Sequence, residues 1–302
     1  MKLKKYRSVQ RVEFAFAMLG ALPFLVLPRR LALRLGEWVG DAMYWCMPRR
    51  RAIGLKNLHI AFGSELPDHE KERILRLTFR NLGKSLAEVL QLPRMSAEDL
   101  RKKSTVIGEE HYFAANEQGK GVIFLAAHIG NWELTPQVQS VYGYPLNVVV
   151  RPLDNPYLHR LVTKRREMFG STMLARRNGF KHILAALRKK EAVGILMDQN
   201  TLRSRGIFVD LFGKPACTIP VIALLALRYR VPVLPAFVVR TGFDTHTLYI
   251  DKEVDIVRTG DTQKDIETNT ARFNGILEDF IRKYPDQWFW IHNRWKSQPD
   301  DS

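Results

Sequence analysis

Gly121-Val122-Ile123-Phe124-Leu125-Ala126-Ala127-His128-Ile129-Gly130-Asn131-Trp132-Glu133 is the stretch on which the fold turns. An apolar run of strand character ends on His128, Gly130 follows, and Glu133 stands five residues beyond the histidine. At about 100° per residue, five steps along one helix leave two side chains roughly 140° apart, so this pair cannot meet from a single regular helix. His128 is therefore expected to close the strand, with Gly130 reversing the chain, Asn131 capping the next helix and Glu133 in its first turn. From there Glu133 can reach back to one imidazole nitrogen and leave the other free as a base. A carboxylate beside the positive end of a helix dipole stays ionised, which suits it to steer an imidazolium. A lone histidine at a strand end is more often a packed loop residue than a catalytic one, so the rest of the chain has to decide.

Strands and helices alternate on both sides of this run. Residues 146–150, 192–197 and 231–239 read as strands, and 155–169, 180–190 and 220–230 as helices. A long helix is expected over 68–92, ending before Pro93, and a short strand followed by a helix between 104 and 120. The pattern predicts an α/β fold, a central mixed sheet flanked by helices, with residues 49–302 as one domain and residues 1–48 as a membrane-associated helical segment. No internal repeat occurs, and the only low-complexity stretch is the polar tail after Lys296.

In open α/β sheets, ligands gather where strands end. Arg151 follows one strand in Arg151-Pro152-Leu153-Asp154-Asn155-Pro156, and Asp198-Gln199-Asn200 ends another. Arg151 can grip a phosphate or carboxylate with both arms, while the Asp198–Asn200 turn can bond hydroxyls or hold Arg151 in place. An ordinary surface ion pair and turn would read the same way. Arg203-Ser204-Arg205-Gly206-Ile207-Phe208-Val209-Asp210-Leu211-Phe212-Gly213-Lys214-Pro215-Ala216-Cys217-Thr218 is a shaped loop, with Thr218 as a cap for the next helix, whose amides could hold a phosphate or oxyanion. Tyr284-Pro285-Asp286-Gln287-Trp288-Phe289-Trp290-Ile291-His292-Asn293-Arg294-Trp295-Lys296 is aromatic and basic; it could line an apolar groove, although packing is the commoner use of such residues. The candidate substrate-binding residues are thus Asn131, Arg151, Asp198, Gln199, Arg205, Gly213, Thr218 and Arg294.

With 47 Lys+Arg against 31 Asp+Glu, the net charge of +16 calls for an anionic partner. The cations are spread along the chain and form no nucleic-acid motif, which leaves anionic lipid or an acidic carrier protein rather than nucleic acid. Cys46 and Cys217 stand in unlike surroundings and suit packing in a reducing compartment. A basic start, Met1-Lys2-Leu3-Lys4-Lys5-Tyr6-Arg7, precedes an uncharged run over 14–28 that contains Pro23 and ends at Arg29-Arg30. Without a small-x-small cleavage site it is expected to be retained, and it is short of the roughly 20 residues that a span wants, so a monotopic or re-entrant insertion competes with a crossing. Residues 31–47 suit an amphipathic interfacial helix, or equally a helix packed on the domain.

The first run resembles the His-x-x-x-x-Asp/Glu motif of membrane acyltransferases that esterify glycerol phosphates and lipid A precursors. With the Arg151–Pro156 block, the Met197–Thr218 block and the Tyr284–Lys296 block in order, the chain resembles the bacterial lipid A biosynthesis acyltransferases, which add lauroyl and myristoyl chains. Asn293 departs from the pattern, where a basic residue is expected. The resemblance implies a glycerol-3-phosphate-acyltransferase-like fold, an acyl carrier protein thioester as donor, a phosphorylated glucosamine lipid as acceptor, and a place at the cytoplasmic face of the inner membrane. His128 would deprotonate the acceptor hydroxyl for direct attack on the thioester, with Glu133 fixing the imidazole tautomer. A thiolate leaves readily, so neither an acyl-enzyme nor a metal or other cofactor is required. Competing readings are acylation of a lysophospholipid, aminolipid or glycolipid, and a basic membrane-binding protein without turnover. A metallohydrolase fits less well, since the His-Glu-x-x-His spacing is absent.

Overall fold

The computed structural model describes residues 7–299; the basic Met1–Tyr6 stretch singled out above lies outside them. Helices α1 (Arg7–Val26), α2 (Arg29–Cys46), α3 (Pro48–Phe62) and α4 (Asp68–Gln91) come first, then α5 (Ala97–Lys102). The sheet region follows as β1 (Ser104–Ile107), α6 (Glu109–Glu117), β2 (Val122–Ala126), α7 (Thr135–Val141), β3 (Leu146–Val150), α8 (Pro156–Arg166), β4 (Thr172–Ala175), α9 (Gly179–Arg188) and β5 (Ala192–Leu196). It closes with β6 (Ile207–Leu211), β7 (Lys214–Thr218), α10 (Val221–Tyr229), β8 (Val233–Arg240), β9 (His246–Ile250) and α11 (Thr262–Lys283).

Seven strands form one sheet in the order β1-β9-β8-β2-β5-β3-β4. Every neighbouring pair is parallel except β8 and β9. β2 sits in the middle and is buried on both faces, which is why its sequence is continuously apolar rather than alternating. Ile123 and Leu125 face a core built with α9, α10, α11 and the terminal tryptophans, while Val122 and Phe124 face one built with α6 and α7. The expected mixed α/β sheet with flanking helices is therefore present. Four short or late elements are not predicted by the sequence pattern: α5, β4, β9 and α11. The Arg203–Thr218 segment, read as a loop, is mainly the hairpin β6–β7, turned by Phe212 and Gly213, both at positive φ.

The helical layer is attached firmly. α2 crosses α4 where Gly36 meets Gly83; a Cβ on Gly83 would stand 2.0 Å from the Gly36 carbonyl oxygen, so only hydrogen fits there. Of the two readings left open for residues 31–47, packing on the domain holds for one face of α2, and the opposite face is open to solvent.

Candidate active site

The site is built by strand register. β2 and β5 are parallel neighbours with Ala126 beside Leu196, and His128 and Asp198 each stand two residues past those ends. The continuation brings them together: His128 Nδ1 lies 2.8 Å from Asp198 Oδ1, and the His128 backbone N–H donates to Asp198 Oδ2 at 3.0 Å. Trp288 Nε1 donates to the same oxygen at 2.8 Å. Asp198 is 2% exposed, and burial pushes its carboxyl up. The His128 charge and the three donors outweigh that and hold it below the ordinary aspartate value, so it is an anion with its lone pairs committed. An ionised Asp198 requires the proton on Nδ1, which in the neutral imidazole leaves a lone pair on Nε2.

The expected Glu133–His128 pairing does not form. Gly130 reverses the chain at φ +58, with its N–H donating to Gln287 O at 2.8 Å, and the Asn131 N–H donates to Val238 O at 3.2 Å. This locks the loop against β8; a Cβ on Gly130 would lie 2.0 Å from the Val238 oxygen. The chain then runs through a turn, α7 begins only at Thr135, and Glu133 points away to Arg166 at the end of α8. Both carboxylate oxygens accept from that guanidinium, at 2.7 and 2.6 Å. The positioning carboxylate of His128 is thus Asp198, seventy residues away in sequence.

Asn131 is not a helix cap either. It is buried, and its amide donates to Glu88 Oε2 of α4 at 2.7 Å. Glu88 also receives both terminal nitrogens of Arg240 and lies 3.4 Å from His246 Nε2. Burial raises its pKa, but His246 and Arg240 more than offset this, and it is held well below the usual carboxylate range. The loop that carries His128 is therefore pinned from below by an ion pair joining α4 to the sheet.

Gln199 Nε2 is 3.2 Å from His128 Nε2, so in the neutral tautomer this amide donates to the lone pair of the base. Asn200 is held differently: its N–H donates to His292 Nε2 at 3.0 Å. Burial lowers the His292 pKa, which keeps that nitrogen an acceptor. Arg151 is exposed, lies 3.7 Å from Asp154, and stands on the rim rather than in the Asp198–Asn200 turn.

Four expected contacts are not at this site. Thr218 is fully buried; its hydroxyl donates to Ala216 O and accepts from Arg294, while the following helix starts at Val221 with Pro220 as its cap. Arg294 is fully buried too, donates to Cys217 O at 2.8 Å, and is pushed down by burial to about 10. Gly213 sits at the hairpin turn, its N–H on Asp210 Oδ1, and Arg205 is exposed in the turn before β6. None of the four lines the cavity beside His128.

That cavity, about 220 Å³, opens at His128 and runs over the ends of β3, β4 and β5. Leu146, Val148, Val150, Met173 and Leu196 make it apolar, while Trp132 and the Glu133–Arg166 pair form part of its wall. Gly194 opens the floor; a Cβ there would approach Leu146 Cδ1 to 3.2 Å. The terminal aromatic segment does not line the cavity but packs against His128 and Trp132. The Phe289 N–H donates to His128 O at 3.0 Å, and the Phe289 ring lies 6.1 Å from the imidazole and 5.5 Å from Trp132. Trp290 and Trp295 are buried, so this segment chiefly packs. A base with an anionic orienter at the mouth of a hydrocarbon-sized slot fits a group-transfer enzyme acting on a fatty substrate.

Comparisons with known proteins define the class. The chain belongs to the bacterial lipid A biosynthesis acyltransferase family, whose model matches residues 1–297. It is 26% identical over 290 residues to a lipid A biosynthesis acyltransferase of Haemophilus influenzae, covering 95% of this chain and 87% of that one. It is 28% identical over 278 residues to the lipid A biosynthesis palmitoleoyltransferase of Escherichia coli, covering 90% and 87%. To the lauroyltransferase of the same organism it is 27% identical over 277 residues, covering 91% and 88%. The protein is an acyltransferase, and its family acts in lipid A biosynthesis.

Proposed function

We propose that this enzyme moves a fatty acyl chain from an acyl carrier protein thioester to a hydroxyl of a phosphorylated glucosamine lipid A precursor, at the cytoplasmic face of the inner membrane. The observation that carries the reading is the His128–Asp198 pair at the mouth of an apolar cavity. His128 Nε2 takes the hydroxyl proton as the oxygen attacks the thioester carbonyl; the tetrahedral adduct collapses, the thiolate leaves, and the imidazolium returns the proton to it. Asp198 stabilises the imidazolium and fixes its tautomer, the role first given to Glu133. Glu133, neutralised by Arg166, shapes the wall against which the acyl chain lies. Before attack, the hydroxyl displaces the Gln199 amide from Nε2.

The +16 charge supports an acidic donor protein and a phosphorylated acceptor, with Arg151 at the rim as a phosphate contact. Residues 1–48 are assigned to the membrane-facing layer and 49–302 to the catalytic domain. The mostly parallel sheet with its base at a carboxyl edge supports a relation to the glycerol-3-phosphate acyltransferase fold. The test is a purified His128→Ala enzyme, folded by circular dichroism, given a mixture of acylated carrier proteins and lipid A precursor, with products read by mass spectrometry. Loss of product is expected; transfer at the parental rate would overturn the mechanism.

A further inference from the structure

α1 is the one described helix long and apolar enough to cross a bilayer, since 20 residues at about 1.5 Å each match a hydrocarbon core of about 30 Å. Its contacts argue against a crossing. Near its start, Asn155 Nδ2 of the α8 cap donates to Gln10 O at 2.7 Å, and Arg11 Nε donates to the Tyr157 hydroxyl at 3.2 Å. At its end, Gln91 Nε2 of α4 donates to Phe24 O at 2.9 Å and to Leu27 O at 3.0 Å. A helix that spans a membrane presents one end to a domain lying on one side; α1 presents both.

Its two faces fit that attachment. Gln10, Phe14, Ala21 and Phe24 turn inward, with the Phe14 ring 5.8 Å from Tyr157. Val9, Val12, Phe16, Leu19, Leu22 and Val26, three or four apart, form an exposed outer stripe on which Phe16 is 70% accessible. α2 continues the surface with Leu31, Trp38 and Trp45, seven apart and all exposed. Cations flank it at Arg30, Arg34 and Arg49, all exposed. The two acids of α2 are turned aside and neutralised, Glu37 by Arg34 and Lys84, and Asp41 by Arg76 and Arg80.

We infer that α1 and the open face of α2 lie in the plane of an anionic leaflet, half immersed, so that the enzyme is held on one surface of the membrane and does not span it. The occupant of this surface is lipid because its outer face joins apolar and aromatic side chains to arginines with no unpaired acid, the composition of an interfacial helix. The inference rests on the membrane location proposed above and refines it.

The test places single spin-labelled cysteines at positions 9, 12, 16, 19 and 26 of the full chain, in a Cys46→Ser background. The protein is reconstituted with phosphatidylglycerol–phosphatidylethanolamine vesicles, and collision with oxygen is compared with collision with a nickel chelate. In-plane seating gives all five labels one shallow depth, roughly 5–10 Å below the phosphates. A depth profile that peaks at 16 and 19, near the centre about 15 Å down, and falls toward 9 and 26 would overturn the inference while leaving the membrane location intact. Labels that meet no lipid, or that broaden one another as in a dimer of this chain, would overturn both.

Discussion

Two carboxylates flank His128, and they do opposite things. Asp198 is buried, receives three hydrogen bonds and holds the imidazole. Glu133 is about a quarter exposed and spends both oxygens on Arg166 across the cavity. Nearness in sequence favours Glu133, whereas strand register favours Asp198, and register decides because parallel neighbours carry their alignment past the last paired residue. The contrast also separates two jobs, orienting a base on the deep side and shaping a slot on the open side.

The sharpest way to break this division is to neutralise each carboxylate without changing its shape. Asp198→Asn is expected to lower kcat by about 10³–10⁴-fold, as when a buried orienting carboxylate is removed from an imidazole base. Glu133→Gln disturbs a partly exposed pair worth about 1 kcal/mol, so a loss below about tenfold is expected. Steady-state transfer assays on both variants check this; the reverse ranking would return the orienting role to Glu133.

A smaller effect sharpens the picture of the base itself. The Gln199 amide lies 3.2 Å from His128 Nε2, and in the proposed mechanism it holds that nitrogen against water until a hydroxyl displaces it. Gln199→Ala should raise free fatty acid released per acyl chain transferred by about three- to tenfold, the worth of one hydrogen bond. The ratio is read by mass spectrometry of both products, and an unchanged ratio would remove the guard role.

The smallest expected effect is on stability against pH. The native pKa of Asp198 lies below its ordinary value, so its contribution is fully present above about pH 4 and is lost as pH falls through the depressed native value. Denaturant midpoints should slip slightly between about pH 7 and about pH 5, where unfolding lets the buried His292 take up a proton, and fall further below about pH 4. The fall should be shallower in Asp198→Asn; an equal slope in both proteins would show that Asp198 is not ionised in the native state.

Much of the sheet was legible because β2, β5 and β8 are largely buried apolar runs, and β3 a half-buried valine-rich one, bounded by turn residues. β4 and β9 are short and carry polar residues, and α11 has an amphipathic pattern that was passed over beside its aromatic neighbour segment. His128, Asp198, Gln199 and Arg151 stand just past strand ends, which is where the sequence directs attention; the fold brings the first three together and leaves Arg151 on the rim. Their partners are not so placed. Arg166, Trp288, His292 and Glu88 reach the site through tertiary packing, and no local spacing points to them. One signal was available: with β2 and β5 read as adjacent strands of five residues, their second following residues are His128 and Asp198. Thr218 suggests a helix cap and Arg294 a headgroup cation when each is read along the chain; the fold instead buries them against each other.

Glu88 and Gln91 are one turn apart on α4; the first grips the His128 loop through Asn131, and the second grips the carbonyl end of α1. With Gly36 seated against Gly83, the same helix also carries α2. The imidazole therefore stands at a set height above whatever surface those helices rest on. Distance from the α1–α2 face, as much as chemistry, then sets which acceptor oxygen could meet Nε2 under the proposed mechanism.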